Sequence, residues 1–290
     1  MKCIYVSLVL GLSALSVIGE SHGENESPVL AGPYLGQKLP GSTPELFAPG
    51  IVSTAGWEVS GVFTPDLDEF YFIRKSKENK KQEIVVFQNI SNLWHESIFS
   101  PRVGTPLFSP DGKTMHLGKS YKERTEKGWS EVKSLGSPFD SLPIMRLAAS
   151  SNGTYYFDEF KRDFTGDIRY SRLVDGKYEK PKLLGKEIND GESFHPFIAA
   201  DESYLIFDGK RESSYGDSDL YISYRKRDGS WGEAINLGDK INTKGWEAAA
   251  SVTPDGEYLF FNRNMTPDNH DNTDIFWVDA QFIETLRPKQ

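Results

Sequence analysis

Thr253-Pro254-Asp255-Gly256 runs almost directly into Tyr258-Leu259-Phe260-Phe261, and four other stretches echo it. Thr64-Pro65-Asp66 precedes Phe70-Tyr71-Phe72-Ile73, and Ser109-Pro110-Asp111-Gly112 precedes Thr114-Met115-His116-Leu117. Ser150-Ser151-Asn152-Gly153 precedes Tyr155-Tyr156-Phe157, and Ala199-Ala200-Asp201-Glu202 precedes Tyr204-Leu205-Ile206-Phe207. Proline presets φ at the second position of a turn, Asp accepts from nearby backbone N–H groups, and Gly takes a positive φ. The aromatic and β-branched runs on either side then read as the two strands of a hairpin.

The Asp/Asn positions 66, 111, 152, 201 and 255 recur at intervals of 45, 41, 49 and 54 residues. Such a period fits one four-stranded propeller blade per repeat. A third strand recurs at Glu83–Val86, Asp167–Tyr170, Asp219–Ile222 and Asp274–Trp277, and a fourth around Trp94, Trp129, Tyr178 and Trp231. Only 18 residues separate Asp111 from Trp129, so the second repeat needs a very tight turn, at Gly118-Lys119, or loses a strand. The last repeat ends after its third strand. Its missing fourth strand is expected at the other end of the chain, because residues 44–58, ending in Gly56-Trp57-Glu58, parallel residues 232–247, ending in Gly245-Trp246-Glu247. An N-terminal strand that closes the ring removes exposed edges. The expected fold is all-β: a single propeller over residues 33–290, with five blades counted and six as the alternative. A sixth blade would require a further repeat that the sequence does not display. Residues 283–286 read as a short terminal helix.

These repeats resemble the TolB-type propeller repeat, a relative of the WD repeat whose blades carry a Ser/Thr-Pro-Asp-Gly turn before an aromatic strand. The resemblance covers residues 34–288. The run Asp201–Phe207, with Gly216–Ser223 and Gly229-Ser230-Trp231, is similar to a group of exported bacterial proteins of unassigned role. It implies export and a propeller, and no particular reaction, because one fold hosts many functions. Such propellers are usually described as six-bladed, and the count of five departs from that.

Met1-Lys2-Cys3 is followed by an apolar stretch from Ile4 to Ile18 and then by polar residues, the layout of a secretory signal peptide. Residues 1–19 are expected to be removed, with a cut as late as residue 23 as the alternative, and 20–32 to form a flexible lead-in. A retained anchor would need about 20 apolar residues. Cleavage after Gly19 would remove Cys3, the single cysteine, and Lys2, leaving 32 of the 33 basic residues against 42 acidic ones. The expected mature protein is a periplasmic or secreted monomer without a membrane span, held by its core rather than by disulfides. Its acidic excess and its lack of a basic patch argue against nucleic acid, which demands a positive footprint.

The working surface of such a ring is expected at the central channel. Candidate binding residues are Trp57, Glu58, Glu192, Trp246 and Glu247 on connections entering innermost strands, with Arg146 and His195 on the strands themselves. An aromatic-plus-carboxylate rim suits a sugar, a basic peptide or a cation. The plainer alternative is that each Glu satisfies neighbouring backbone donors and each Trp caps a blade. No nucleophile elbow, phosphate loop or His-x-His spacing is present, so no catalytic or metal-ligating residue is assigned. Exported oligogalacturonate lyases resemble TolB-type propellers and use a His-rich metal centre, but this chain has only five His. Calcium is the one cofactor weighed, at residues 268–274 and 217–219, where Asp is better explained as turn-capping. The leading expectation is a non-catalytic propeller that binds a protein or peptide partner. The alternative is a lyase or glycosidase acting on a glycan through paired acids among Glu58, Glu192 and Glu247, which must then converge within about 5–10 Å.

Overall fold

The computed structural model describes residues 30–76, 78–161, 165–266 and 270–289. The expected signal peptide and residues 20–29 of the expected lead-in lie outside the described residues. Leu30 to Gly32 run along the rim of the first blade, where Leu30 carbonyl accepts from Trp94 N–H (2.9 Å) and Gly32 carbonyl from Trp94 Nε1 (2.7 Å).

The strands form five antiparallel blade sheets, one per repeat, and a two-stranded hairpin of Leu173–Val174 with Lys177–Tyr178 beside the third. From the channel outward the first blade is Glu58–Phe63, Glu69–Lys75, Gln82–Ile90 and Leu93–Pro101. The second is Pro106–Phe108, Thr114–Leu117, Ser120–Thr125 and Lys133–Ser134, and the third is Leu147–Ala149, Tyr155–Glu159, Asp167–Ser171 and Lys182–Leu183. The fourth is Phe194–Ile198, Tyr204–Gly209, Asp219–Tyr224 and Ile235–Asn236. The fifth is Glu247–Val252, Tyr258–Asn264 and Thr273–Asp279, completed by Glu45–Leu46 from the N-terminal side, with Glu45 opposite Trp277 and Leu46 opposite Phe276. The fold is a five-bladed β-propeller. In the short second blade Leu117 pairs with Ser120 across Gly118-Lys119, and Gly118 takes a φ of 68° to turn the chain.

The repeated turns work through their hydroxyls. Thr64, Ser109 and Thr253 Oγ donate to Asp66, Asp111 and Asp255 at 2.6 Å each, and accept the N–H of Glu69, Thr114 and Tyr258 at 3.0 Å. A second device pins the entries to the fourth and fifth blades. Asn189 and Asn242 Oδ1 accept from Ile168 and Leu220 N–H (2.8 Å each), and their amides donate back to the same residues' carbonyls.

The aromatics expected within the outer strands are placed differently in three blades. Trp129, Tyr178 and Trp231 stand four residues ahead of Lys133, Lys182 and Ile235, where the fourth strands begin. Two of them lock neighbouring blades together. Trp129 Nε1 donates to the Tyr71 hydroxyl of the first blade (3.0 Å), while Arg124 lies over its ring and pairs with Glu69 (2.6 Å). Trp231 meets Tyr156 of the third blade edge-on, under Arg225, which donates to Glu202 (2.6 Å) and to the Tyr156 hydroxyl (3.0 Å).

Ring closure is apolar. Phe47 N–H donates to Ile275 carbonyl (2.9 Å), and its ring packs 4.8 Å from Phe70 of the first blade and 4.8 Å from Phe260 of the fifth. The helix Phe282–Leu286 docks beneath the fourth blade, where the Tyr224 hydroxyl donates to Ile283 carbonyl. Among the described residues no helix is long and apolar enough to cross a membrane.

Candidate functional site

Innermost strands run close to the axis, and three of them break their ladder at the same place. Register shifts fall between Val59 and Val62, Phe194 and Phe197, and Ala248 and Ser251. Ser60, His195 and Ala249 there adopt φ of 60°, 46° and 54°. Such bulges turn a backbone N–H away from its ladder partner. Each freed N–H donates to a side chain of the preceding blade's second strand: Ser60 to Asn262 Oδ1 (2.8 Å), His195 to Asp158 Oδ2 (3.0 Å), and Ala249 to Asp208 Oδ1 (2.8 Å). Asp158 Oδ1 also accepts from Met145 and Arg146 N–H (3.0 and 2.9 Å).

These bonds bring together Arg146 and His195, two of the residues singled out from sequence, and add Asp158 and Asp208. His195 Nδ1 lies 3.0 Å from both oxygens of Asp208. Burial opposes a charge on this imidazole, but the Asp208 carboxylate and then Asp158 outweigh it and raise the His195 pKa. Burial holds the Asp158 carboxyl above its ordinary value despite the His195 charge and three N–H donors. Arg146 is 1% exposed, with Nε unpartnered and Nη1 3.4 Å from His195 carbonyl, and burial pulls its pKa down to about 10. A carboxylate-oriented imidazole is half of an acid–base machine. No hydroxyl or thiol nucleophile bonds to His195 among the described residues.

The remaining candidates occupy separate places. Thr54 N–H and Oγ1 donate to Glu58 at 3.2 and 2.8 Å, and Thr243 N–H and Oγ1 donate to Glu247 at 2.9 and 2.7 Å. Each carboxylate therefore closes its own Thr-x-Gly-Trp-Glu loop, and Glu247 also pairs with Arg263 (2.9 Å). Burial raises the Glu247 pKa in spite of those partners. Glu192 is half-buried and makes no side-chain hydrogen bond or ion pair among the described residues. Trp57 lies under Lys75 Nζ (5.2 Å), and Trp246 meets His270 edge-on (5.7 Å). Asp219, one of the oxygens considered for calcium, accepts from Tyr215 and Gly216 N–H and from Asn236 Nδ2.

Sequence reasoning missed the opposite end of the channel. Arg146 and His195 each stand three residues before Ala149 and Ile198, about 10 Å along a strand. At Ala149 and Ile198 a cavity of about 380 Å³ opens, walled by residues of all five blades: Val62, Phe63, Leu107, Phe108, Ala149, Phe197, Ile198 and Val252, with Pro65, Pro110 and Pro254 at its lip. The turns around it expose Asp66, Asp111, Asp201 and Asp255. Hydroxyl donors favour the charged form of three of them: Ser203 lowers the Asp201 pKa, Ser109 that of Asp111, and at Asp255 bonds from Thr253 and Tyr34 overcome the opposing effect of burial. The signal was in the Pro-Asp turns, whose recurrence places an acid in four blades and a proline in three at this mouth.

No protein-family model and no curated protein matches the chain. Among solved structures, the endo-arabinase of Bacteroides thetaiotaomicron is similar to 79% of this chain over 95% of its own, at TM-score 0.51 and 14% identity. TolB from Acinetobacter baumannii matches 78% of the chain at TM-score 0.47 and 15% identity, and the chain spans only 57% of that protein. A putative TolB from Agrobacterium tumefaciens matches 78% of each chain at TM-score 0.47 and 16% identity. The likeness is one of fold. At these identities it transfers neither an activity nor a site.

Proposed function

We propose that this chain is an exported, non-catalytic propeller that grips a protein partner at the Pro-Asp end of its channel. The occupant is an extended peptide segment with an apolar side chain flanked by basic residues. The apolar cavity carries the reading: it is about 380 Å³, within the usual range for ligand cavities (about 300–1,000 Å³), and apolar side chains from every blade wall it. Its acid-bearing rim favours basic flanks, which guide encounter and specificity more than affinity. Export rests on the apolar run from Ile4 to Ile18 behind Lys2. The glycosidase reading asks for two free carboxylates about 5–10 Å apart, whereas Glu58 is engaged by Thr54 and hydrogen-bonded directly to Asp274, and Glu247 is engaged by Thr243 and Arg263.

Fluorescence anisotropy with labelled peptides tests this. A Lys-flanked Leu or Trp peptide is expected to bind, and a Ser-for-Leu analogue is expected to bind at least tenfold more weakly. Ala200→Trp, a plug at an exposed position of the rim, should abolish binding without changing the melt. Equal binding of the Ser analogue, or polysaccharide cleavage that Glu58→Gln removes, overturns the proposal.

A further inference from the structure

Between the second and third blades lies a pocket of about 470 Å³ whose inner end is His116. This histidine sits on the second strand of its blade, Thr114–Leu117, and is 1% exposed. Both of its ring nitrogens lack a hydrogen-bond partner. Among the described residues only Ser218 shares with it the state of a buried side chain with every polar atom unpaired, and only His116 leaves two such atoms. Burial lowers its pKa to about 4, so at neutral pH it is an uncharged ring offering one N–H donor and one acceptor. Leaving both unmet is costly, on the order of 1–3 kcal/mol per group, and a buried polar group of this kind calls for an occupant.

The walls narrow the choice of occupant. Tyr155 stands edge-on to His116 at 5.1 Å and stacks on Tyr178 at 4.2 Å, forming an aromatic side. Ser151 adds a hydroxyl, whereas Ser150 Oγ is already engaged with Asn152 Oδ1 (2.7 Å) and Glu202 Oε1 (2.9 Å), and no lysine or arginine lines the pocket, so nothing there neutralises an anion. The single charged lining residue is Asp111, whose carboxylate already accepts from Ser109 Oγ (2.6 Å) and Lys113 N–H (3.0 Å). An ammonium group would only donate, and the imidazole N–H would stay unmet. A hydroxyl both donates and accepts. A ring that carries neighbouring hydroxyls along one edge and C–H groups on its face meets the histidine and the tyrosines together.

We infer that the His116–Tyr155–Tyr178 pocket, which adjoins the channel mouth and shares Ser109, Pro110 and Ala149 with it, is a binding subsite for a neutral saccharide. It is independent of the peptide reading. Saturation-transfer NMR on the mature chain, with maltotriose, cellotriose and xylotriose as probes, tests it. Transfer to the sugar ring protons is expected with at least one probe. It should disappear in Tyr178→Ala and in His116→Phe. The second variant removes two unpaired buried nitrogens in a similar shape, so its melting temperature should equal or exceed the parent's; loss of the signal then reports the site and not the fold. No transfer with any probe, as when a water alone occupies the pocket, overturns the inference. So does transfer that survives both substitutions.

Discussion

His195 shows how a single side chain acquires its role from neighbours that are remote in sequence. Its charged form is favoured in the fold by Asp208, 13 residues later, and by Asp158, 37 residues earlier. A raised histidine pKa contributes stability that is complete below the ordinary value of about 6.5 and vanishes as pH rises through the raised one. In His195→Gln the loss of melting temperature should therefore be greatest near pH 5 and shrink steadily toward alkaline pH. Melts recorded across that range check this, and a gap that widens with pH would refute the charge assignment. Arg146 belongs to the same network. Arg146→Met leaves Asp158 and Asp208 opposed by His195 alone and should cost about 3–5 kcal/mol, the usual penalty for breaking a buried charge arrangement.

At the scale of elements, the seam between the last blade and the first holds a second titrating group. Asp274 is buried at the start of Thr273–Asp279, and its Oδ1 is unpartnered. Burial first, and then the hydrogen-bonded Glu58 carboxyl, push its pKa from 3.8 to about 7. The sign is opposite to that of a paired carboxylate. Protonation stabilises the fold, and that contribution falls away as pH climbs from about 4 to about 7. Asp274→Asn should accordingly match the parent near pH 4 and melt higher above pH 7, with the difference level beyond that point. A substitution that destabilises at every pH would show that Asp274 works as a fixed turn cap, as Asp219 does with Tyr215 and Gly216.

For the whole molecule, stability depends on closing the ring. Glu45–Leu46 supplies only two residues of ladder, so the aromatic contacts of Phe47 with Phe70, Phe260 and Trp277 carry most of the closure. Phe47→Ala should lower the free energy of unfolding by about 3–5 kcal/mol, the range for removing a buried phenylalanine. Denaturant titration measures it. A loss below about 1 kcal/mol would mean that the ring is held at its other seams instead.

The count of five blades, the tight turn at Gly118-Lys119 and the N-terminal closing strand follow from the chain itself, because turn chemistry and strand alternation are local and repeat. Local pattern also singled out Arg146 and His195. It could not place the fourth strands behind Trp129, Tyr178 and Trp231, since Trp129 and Trp231 are held by tyrosines of a neighbouring blade and Tyr178 stacks on Tyr155 of its own. Nor could it show that Asp158 and Asp208 reach across to the next blade's bulge, or that His116 is stranded beside an open pocket. Each of those depends on which surfaces meet when the ring closes. A repeat determines the shape of one blade, and only the packing of one blade against the next decides which polar atoms are satisfied and which are left for a ligand.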